Sequence, residues 1–126
     1  MRMNANGIDI ACEVAGPESA PVLIFNHSLA TSRAMWRSQV AAFAPAYRVV
    51  TFDMRGHGES AAPNFPYTLD MLADDVVGVL DCLGVERPAI FVGISIGGMI
   101  GQSLGLRHPK RFRALVLSNT SSRIPP

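Results

Sequence analysis

The sequence predicts an α/β fold built on a mostly parallel sheet, and three observations carry that prediction. Short, continuous apolar runs recur at 21–26, 47–53, 88–94 and 111–119. Runs of this kind mark strands buried on both faces, which is the condition of strands in a parallel sheet. Segments with apolar residues at helical spacing lie between them. An Asn-Gly turn near the start adds an antiparallel hairpin at the head of the chain. A hairpin followed by alternating strands and helices is the pattern of the α/β class.

The elements follow in order. Asn6-Gly7 is the turn, and Ile8, Ile10, Cys12 and Val14 alternate after it, as in a half-buried second hairpin strand. "GPESAP" is a loop, and "PVLIFN" (21–26) is the first buried strand. After "HSLATS", Thr31 or Ser32 can cap a helix with Trp36, Val40 and Phe43 on one face, and Pro45 stops it. "YRVVTFD" (47–53) is the next strand, and "MRGHGESAAPNFP" is a turn-rich loop. Thr68 caps an amphipathic helix. Its apolar stripe is Leu69, Leu72, Val76, Val79, Leu80 and Leu83, with Asp70, Asp74 and Asp81 largely off it and Gly84 at its end. "PAIFVGI" (88–94) is the third buried strand. Residues 96–107 read as a helix whose Gly97, Gly101 and Gly105 share one face, which suits close contact with a sheet. "RFRALVLSN" (111–119) is the fourth buried strand.

The 126 residues suffice for one domain, and 48% apolar with 17% charged is a globular composition. A net charge of +1 gives no reason to expect nucleic acid or an anionic membrane as partner. No apolar run approaches the ~20 residues that span a bilayer. "MRMNANGIDIACEVAG" has no sustained apolar stretch of the kind a secretory signal needs, so a cytoplasmic location is expected. Cys12 and Cys82 form no metal or redox motif and are expected as reduced thiols. No metal or cofactor motif occurs. Gly56-His57-Gly58 is not a phosphate loop, because it opens no helix and lacks the Lys-Ser/Thr pair.

The chemistry concentrates at Gly93-Ile94-Ser95-Ile96-Gly97, which matches G-x-S-x-G between a predicted strand and a predicted helix. A serine exposed on so sharp a turn needs glycine two positions before and two after. The helix start beneath it presents free N–H groups and a positive dipole end. Ser95 is therefore the candidate nucleophile, and the Ile96 N–H a candidate oxyanion donor. A second donor is needed. "FNHSLAT" follows the first buried strand, and the Leu29 N–H is the candidate there.

Asn26-His27-Ser28-Leu29, Asp53-Met54-Arg55-Gly56-His57-Gly58-Glu59-Ser60 and Gly93-Ile94-Ser95-Ile96-Gly97-Gly98 resemble three blocks of the α/β-hydrolase superfamily. They are similar to its oxyanion loop, its D-x-R-G-x-G-x-S loop and its nucleophile elbow. Ser28 stands where many members have glycine. "SLATSRAMW", "RGHGES", "VLDCLGVERP", "GISIGGMIGQ" and "LVLSNTSSRI" resemble the 3-oxoadipate enol-lactonases more narrowly. That resemblance implies serine-dependent opening of an enol-lactone in aromatic catabolism, with a small ester or lactone as substrate. Related carboxylesterases and carbon–carbon bond hydrolases share many of the blocks. Serine at 95 speaks against the dehalogenase and epoxide hydrolase branches, which use aspartate there.

A serine hydroxyl needs a histidine base, and the base needs an orienting acid. In α/β-hydrolases both follow the serine in the chain. After Ser95 there is no Asp or Glu, and the one histidine is His108. It ends a helix about a dozen residues long, so it lies roughly 18 Å from Ser95. His27 and His57 precede the elbow; His27 is expected near the site in support of the oxyanion loop. Arg33, Arg55 and Arg123 are candidates for a substrate carboxylate, or else surface or loop-bracing charges. The superfamily sheet has eight strands, and this sequence supplies about the first six. The expectation is an N-terminal part of a hydrolase core, with acid, histidine and cap outside it. The rivals are a split enzyme completed by a second chain and a non-catalytic interaction module. In the truncated chain strand 113–119 would be an apolar edge open to self-association.

Overall fold

The computed structural model describes residues 1–123, so Ile124 at the end of "LVLSNTSSRI" lies outside the described residues. The chain opens with the hairpin β1 (Arg2–Ala5) and β2 (Ile8–Ala15), joined at Asn6 and Gly7. Both turn residues have positive φ, 51° and 83°, the geometry of a two-residue hairpin loop. Strands β3 (Val22–Asn26), β4 (Arg48–Phe52), β5 (Ala89–Ile94) and β6 (Phe112–Ser118) follow. Helices α1 (Arg37–Phe43), α2 (Leu69–Cys82) and α3 (Ile96–Arg107) alternate with them.

The six strands form one sheet in the order β1-β2-β4-β3-β5-β6. The β1–β2 and β2–β4 pairs are antiparallel, and β4–β3, β3–β5 and β5–β6 are parallel. This is the mostly parallel sheet that the alternating pattern predicts. All of β3 is buried, because its side chains alternate between two covered faces. Ile24 joins one cluster with Val50, Phe52, Val76, Leu80, Phe91, Ile100 and Leu104, under α2 and α3. Leu23 and Phe25 join the other with Trp36 and Val49, under α1. Helices therefore cover both faces.

Three local details differ from the sequence expectation. The helix after "HSLATS" begins as a single 3-10 turn at Arg33–Trp36, with the Ser32 hydroxyl accepting from the Ala34 N–H, and becomes α-helical only at Arg37. Ser32 is thus the cap, while Thr31 turns back to Ser28. Phe43, expected on the apolar face, stays 42% exposed, since only Trp36 reaches fully into the core from this segment. In β6 an irregularity falls at Arg113, where Ala89 pairs Phe112 but Ile90 pairs Ala114. This extra residue returns Phe112, Leu115 and Leu117 to the same side of the sheet.

Candidate functional site

Ser95 sits between the end of β5 and the start of α3, with φ 57° and ψ −116°. A non-glycine residue rarely adopts this conformation, and it persists only where its surroundings over-determine it. Here they do. The Ser95 N–H donates to the Ser118 carbonyl at 3.0 Å, and the Ser95 carbonyl accepts from the Thr120 hydroxyl at 2.6 Å. The flanking glycines are required by space. A Cβ on Gly93 would stand 2.2 Å from the Gly97 carbonyl oxygen, and one on Gly97 would stand 2.5 Å from that of Asn26. Ser95 itself is exposed, and among the described residues its hydroxyl has no hydrogen-bond partner. The Ile96 N–H at the head of α3 is likewise unused among the described residues.

The loop after β3 approaches from the neighbouring strand. His27 is fully buried, and both ring nitrogens are engaged. Nε2 accepts from the Met54 N–H at 2.9 Å, so the proton is on Nδ1, which donates to the Ser28 carbonyl at 2.7 Å. Burial pushes the His27 pKa below the usual imidazole value, and the nearby His57 acts in the same direction. The Leu29 N–H donates to nothing among the described residues. Leu29 and Ile96 both line a cavity of about 300 Å³, whose walls include Met54, His57, Phe65, Tyr67 and Leu72. The wall is mainly apolar.

A family profile for the alpha/beta hydrolase fold matches residues 21–126. The chain belongs to the α/β-hydrolase family. This α/β-hydrolase chain is 42% identical to 3-oxoadipate enol-lactonase 2 of Acinetobacter baylyi over 118 residues, which are 92% of this chain and 44% of that protein. It is 41% identical to the 3-oxoadipate enol-lactonase 1 of the same organism, over 98% of this chain and 46% of the relative. Among solved structures, an enol-lactonase from Burkholderia xenovorans superposes with a TM-score of 0.95 at 38% identity, covering 99% of this chain and 48% of that one. The chain thus spans about half the length of the curated relatives it matches, and its fold is an N-terminal part of theirs.

The remaining candidates of this α/β-hydrolase chain separate cleanly. His108 lies at the far end of α3, where its Nε2 is 2.9 Å from Asp74. His57 lines the cavity, with its ring 5.1 Å from that of His27 and Nδ1 3.1 Å from the Arg55 carbonyl oxygen. None of the three histidines bonds to Ser95. Arg33 is held by Glu13, Glu59 and Asp53, and also donates its backbone N–H to Asp53, so it braces loops. Arg123 is exposed.

Arg55 is a loop-bracing charge and is not at the surface. It is 7% exposed and forms a two-pronged ion pair with Asp75 of α2, at 2.7 Å from both Nε and Nη2. The pair raises the Arg55 pKa. Asp75 also accepts from the Asn6 amide at 2.9 Å. Sequence reasoning missed Asp75, although a signal for it exists. Asp75 stands three residues after Leu72 and four before Val79, which is a position on the buried stripe of α2.

Proposed function

We propose that this chain carries the nucleophile and oxyanion hole of a serine hydrolase acting on carboxylic esters or lactones, of the 3-oxoadipate enol-lactone type. Ser95 is the nucleophile, and the Leu29 and Ile96 N–H groups receive the oxyanion. The observation that carries this reading is the conformation of Ser95, a left-handed serine with a free hydroxyl above a strand–helix turn. Such strain collects where a side chain must be presented for chemistry. Enol-lactonases among the most similar relatives support the lactone, and the mainly apolar cavity beside the two donors suits a small carbon skeleton.

The reaction needs a base to take the Ser95 proton. His27 cannot serve, because Nε2 already accepts from Met54 and Nδ1 already donates to Ser28. His108 is too far along α3, His57 turns Nδ1 to the Arg55 carbonyl oxygen and makes no bond to Ser95, and no acid follows Ser95 in the sequence. The base and its acid therefore belong to polypeptide corresponding to the part of the relatives that this chain does not span. Triad knockouts in intact serine hydrolases keep a residual ~10³–10⁴-fold rate over water from oxyanion hole and binding alone. The chain by itself is expected to act on activated esters at that residual level.

The test is exposure of the chain and of Ser95→Ala to p-nitrophenyl acetate, with intact-mass detection of the acetyl adduct. The chain should acquire one adduct that maps to Ser95, and Ser95→Ala none there. Equal labelling of both would remove Ser95 from the chemistry and favour a non-catalytic module on the same scaffold.

A further inference from the structure

The peptide between Ser28 and Leu29 is held from one side only. Among the described residues the single cis bond is Phe65–Pro66, so this peptide is trans. In a planar trans peptide the carbonyl and the next N–H point in opposite directions. The Ser28 carbonyl oxygen accepts two hydrogen bonds, from His27 Nδ1 at 2.7 Å and from the Thr31 hydroxyl at 2.8 Å. Rotating the peptide would break both. We propose that His27 and Thr31 are positioning residues that clamp the Ser28 carbonyl and so hold the Leu29 N–H out toward the cavity. This rests on Leu29 being an oxyanion donor, as proposed above.

Two further observations support the clamp. His27 is itself fixed, since it is fully buried and its Nε2 accepts from Met54 in the loop after β4. The oxyanion loop is thereby tied to the neighbouring loop and not left to its own flexibility. Ala30, directly after Leu29, has φ 59°, a left-handed conformation that alanine adopts only when its neighbours force it. The bond from the Thr31 hydroxyl back to the Ser28 carbonyl closes the turn that contains that residue.

The clamp works only with a neutral imidazole. A proton on Nε2 would set two donors, Nε2–H and the Met54 N–H, against each other. The groups that bear on this titration are His57, whose ring lies 5.1 Å away, and Asp53 at the end of β4. A charge on His57 opposes protonation of His27, and the Asp53 carboxylate favours it. Burial is the larger influence and also opposes it. The clamp should therefore hold at neutral pH and open on acidification below the ordinary histidine value of about 6.5.

Nitrogen NMR of the chain tests this without requiring turnover. In the wild-type chain the His27 ring nitrogens and the Leu29 amide should move in one shared transition on acidification. His27→Asn keeps a donor near the Nδ1 position and should leave the Leu29 amide near its wild-type shift. His27→Gln places its amide nearer Nε2, loses the donor on Ser28 and should displace the Leu29 signal. Thr31→Val, at an exposed site, removes the second donor and should displace it as well; this variant decides the matter if His27→Gln does not fold. A Leu29 amide indifferent to the His27 transition and to Thr31→Val would overturn the clamp. Acylation of Ser95 should be roughly tenfold slower in His27→Gln, less than the ~10²–10³-fold cost of removing an oxyanion donor outright because the Leu29 N–H is displaced and not lost, and nearly unchanged in His27→Asn. Absence of any Ser95 acylation in the wild-type chain would count against the nucleophile reading alone, since the Leu29 signal still decides the clamp.

Discussion

Ser95 concentrates strain in one residue, and the cost is met by its neighbours. A φ of 57° with a ψ of −116° disfavours a serine by about 1–3 kcal/mol. Bonds from Ser95 to Ser118 and Thr120 offset part of this, and the two glycines allow the close approach around it. The tightest test is Gly97→Ala. The added methyl would lie 2.5 Å from the Asn26 carbonyl oxygen, which is backbone of β3 and cannot swing aside. The expected loss is about 1–3 kcal/mol, the usual cost of overpacking, read from the urea midpoint. An unchanged midpoint would mean that β3 and α3 are not packed this closely. The elbow was legible in the sequence because its constraint falls on adjacent residues. The partner of Gly97 was not, because Asn26 lies on a different strand and meets it only in the folded sheet. His27 shows the same limit. Its place in the loop after β3 could be read, but its bond to Met54 could not, and that bond occupies the ring nitrogen a base would need.

At the scale of elements, α2 does two jobs with one face. Leu72, Val76, Val79 and Leu80 bury against the sheet, as their spacing predicts. Asp75 sits among them and fixes Arg55, and with it the loop that carries Met54 and His57 along the cavity. A buried carboxylate is tolerated there only because two guanidinium nitrogens and the Asn6 amide satisfy it. Asp75→Asn would leave the Arg55 charge buried with no counter-charge. Breaking such a pair costs about 3–5 kcal/mol, so the thermal midpoint should fall sharply. The double variant Arg55→Met with Asp75→Leu should recover most of the loss, because no unpaired charge remains. A single variant as stable as the parent would show the pair to be solvated. Asp75 was overlooked because Asp70, Asp74 and Asp81 lie off the stripe, and a fourth aspartate beside them reads as more of the same solvated face. The irregularity at Arg113 was illegible for a different reason. Residues 114–117, Ala-Leu-Val-Leu, form a continuous apolar run, and a run without alternation does not fix the register that would show Arg113 to be the extra residue.

Over the whole molecule the two faces of the sheet are unequally covered. Helices α2 and α3 close one face from β1 to β6, whereas α1 reaches only the middle strands on the other. Ile90, Val92 and Ile94 of β5 are half-buried on that side, and Val116 of β6 is 50% exposed. Strand β6 pairs with β5 alone, so among the described residues its outer backbone groups form no ladder. An apolar edge beside an uncovered apolar face is a surface that another strand can extend. A second copy of the chain can supply that strand, since the same edge is present on every molecule. The 126-residue chain is therefore expected to self-associate in a concentration-dependent way, through β6, in sedimentation velocity. Val116→Lys places a charge in the middle of the uncovered face without touching the α2–α3 side, and should shift the population strongly toward monomer. The fold should survive the change, because Val116 contributes little burial, and the far-ultraviolet dichroism should be unaltered. A wild-type chain that stays monomeric at all concentrations and melts in one sharp transition would show that the β6 edge is protected by some other means. Association that persists in Val116→Lys would place the contact elsewhere on the molecule.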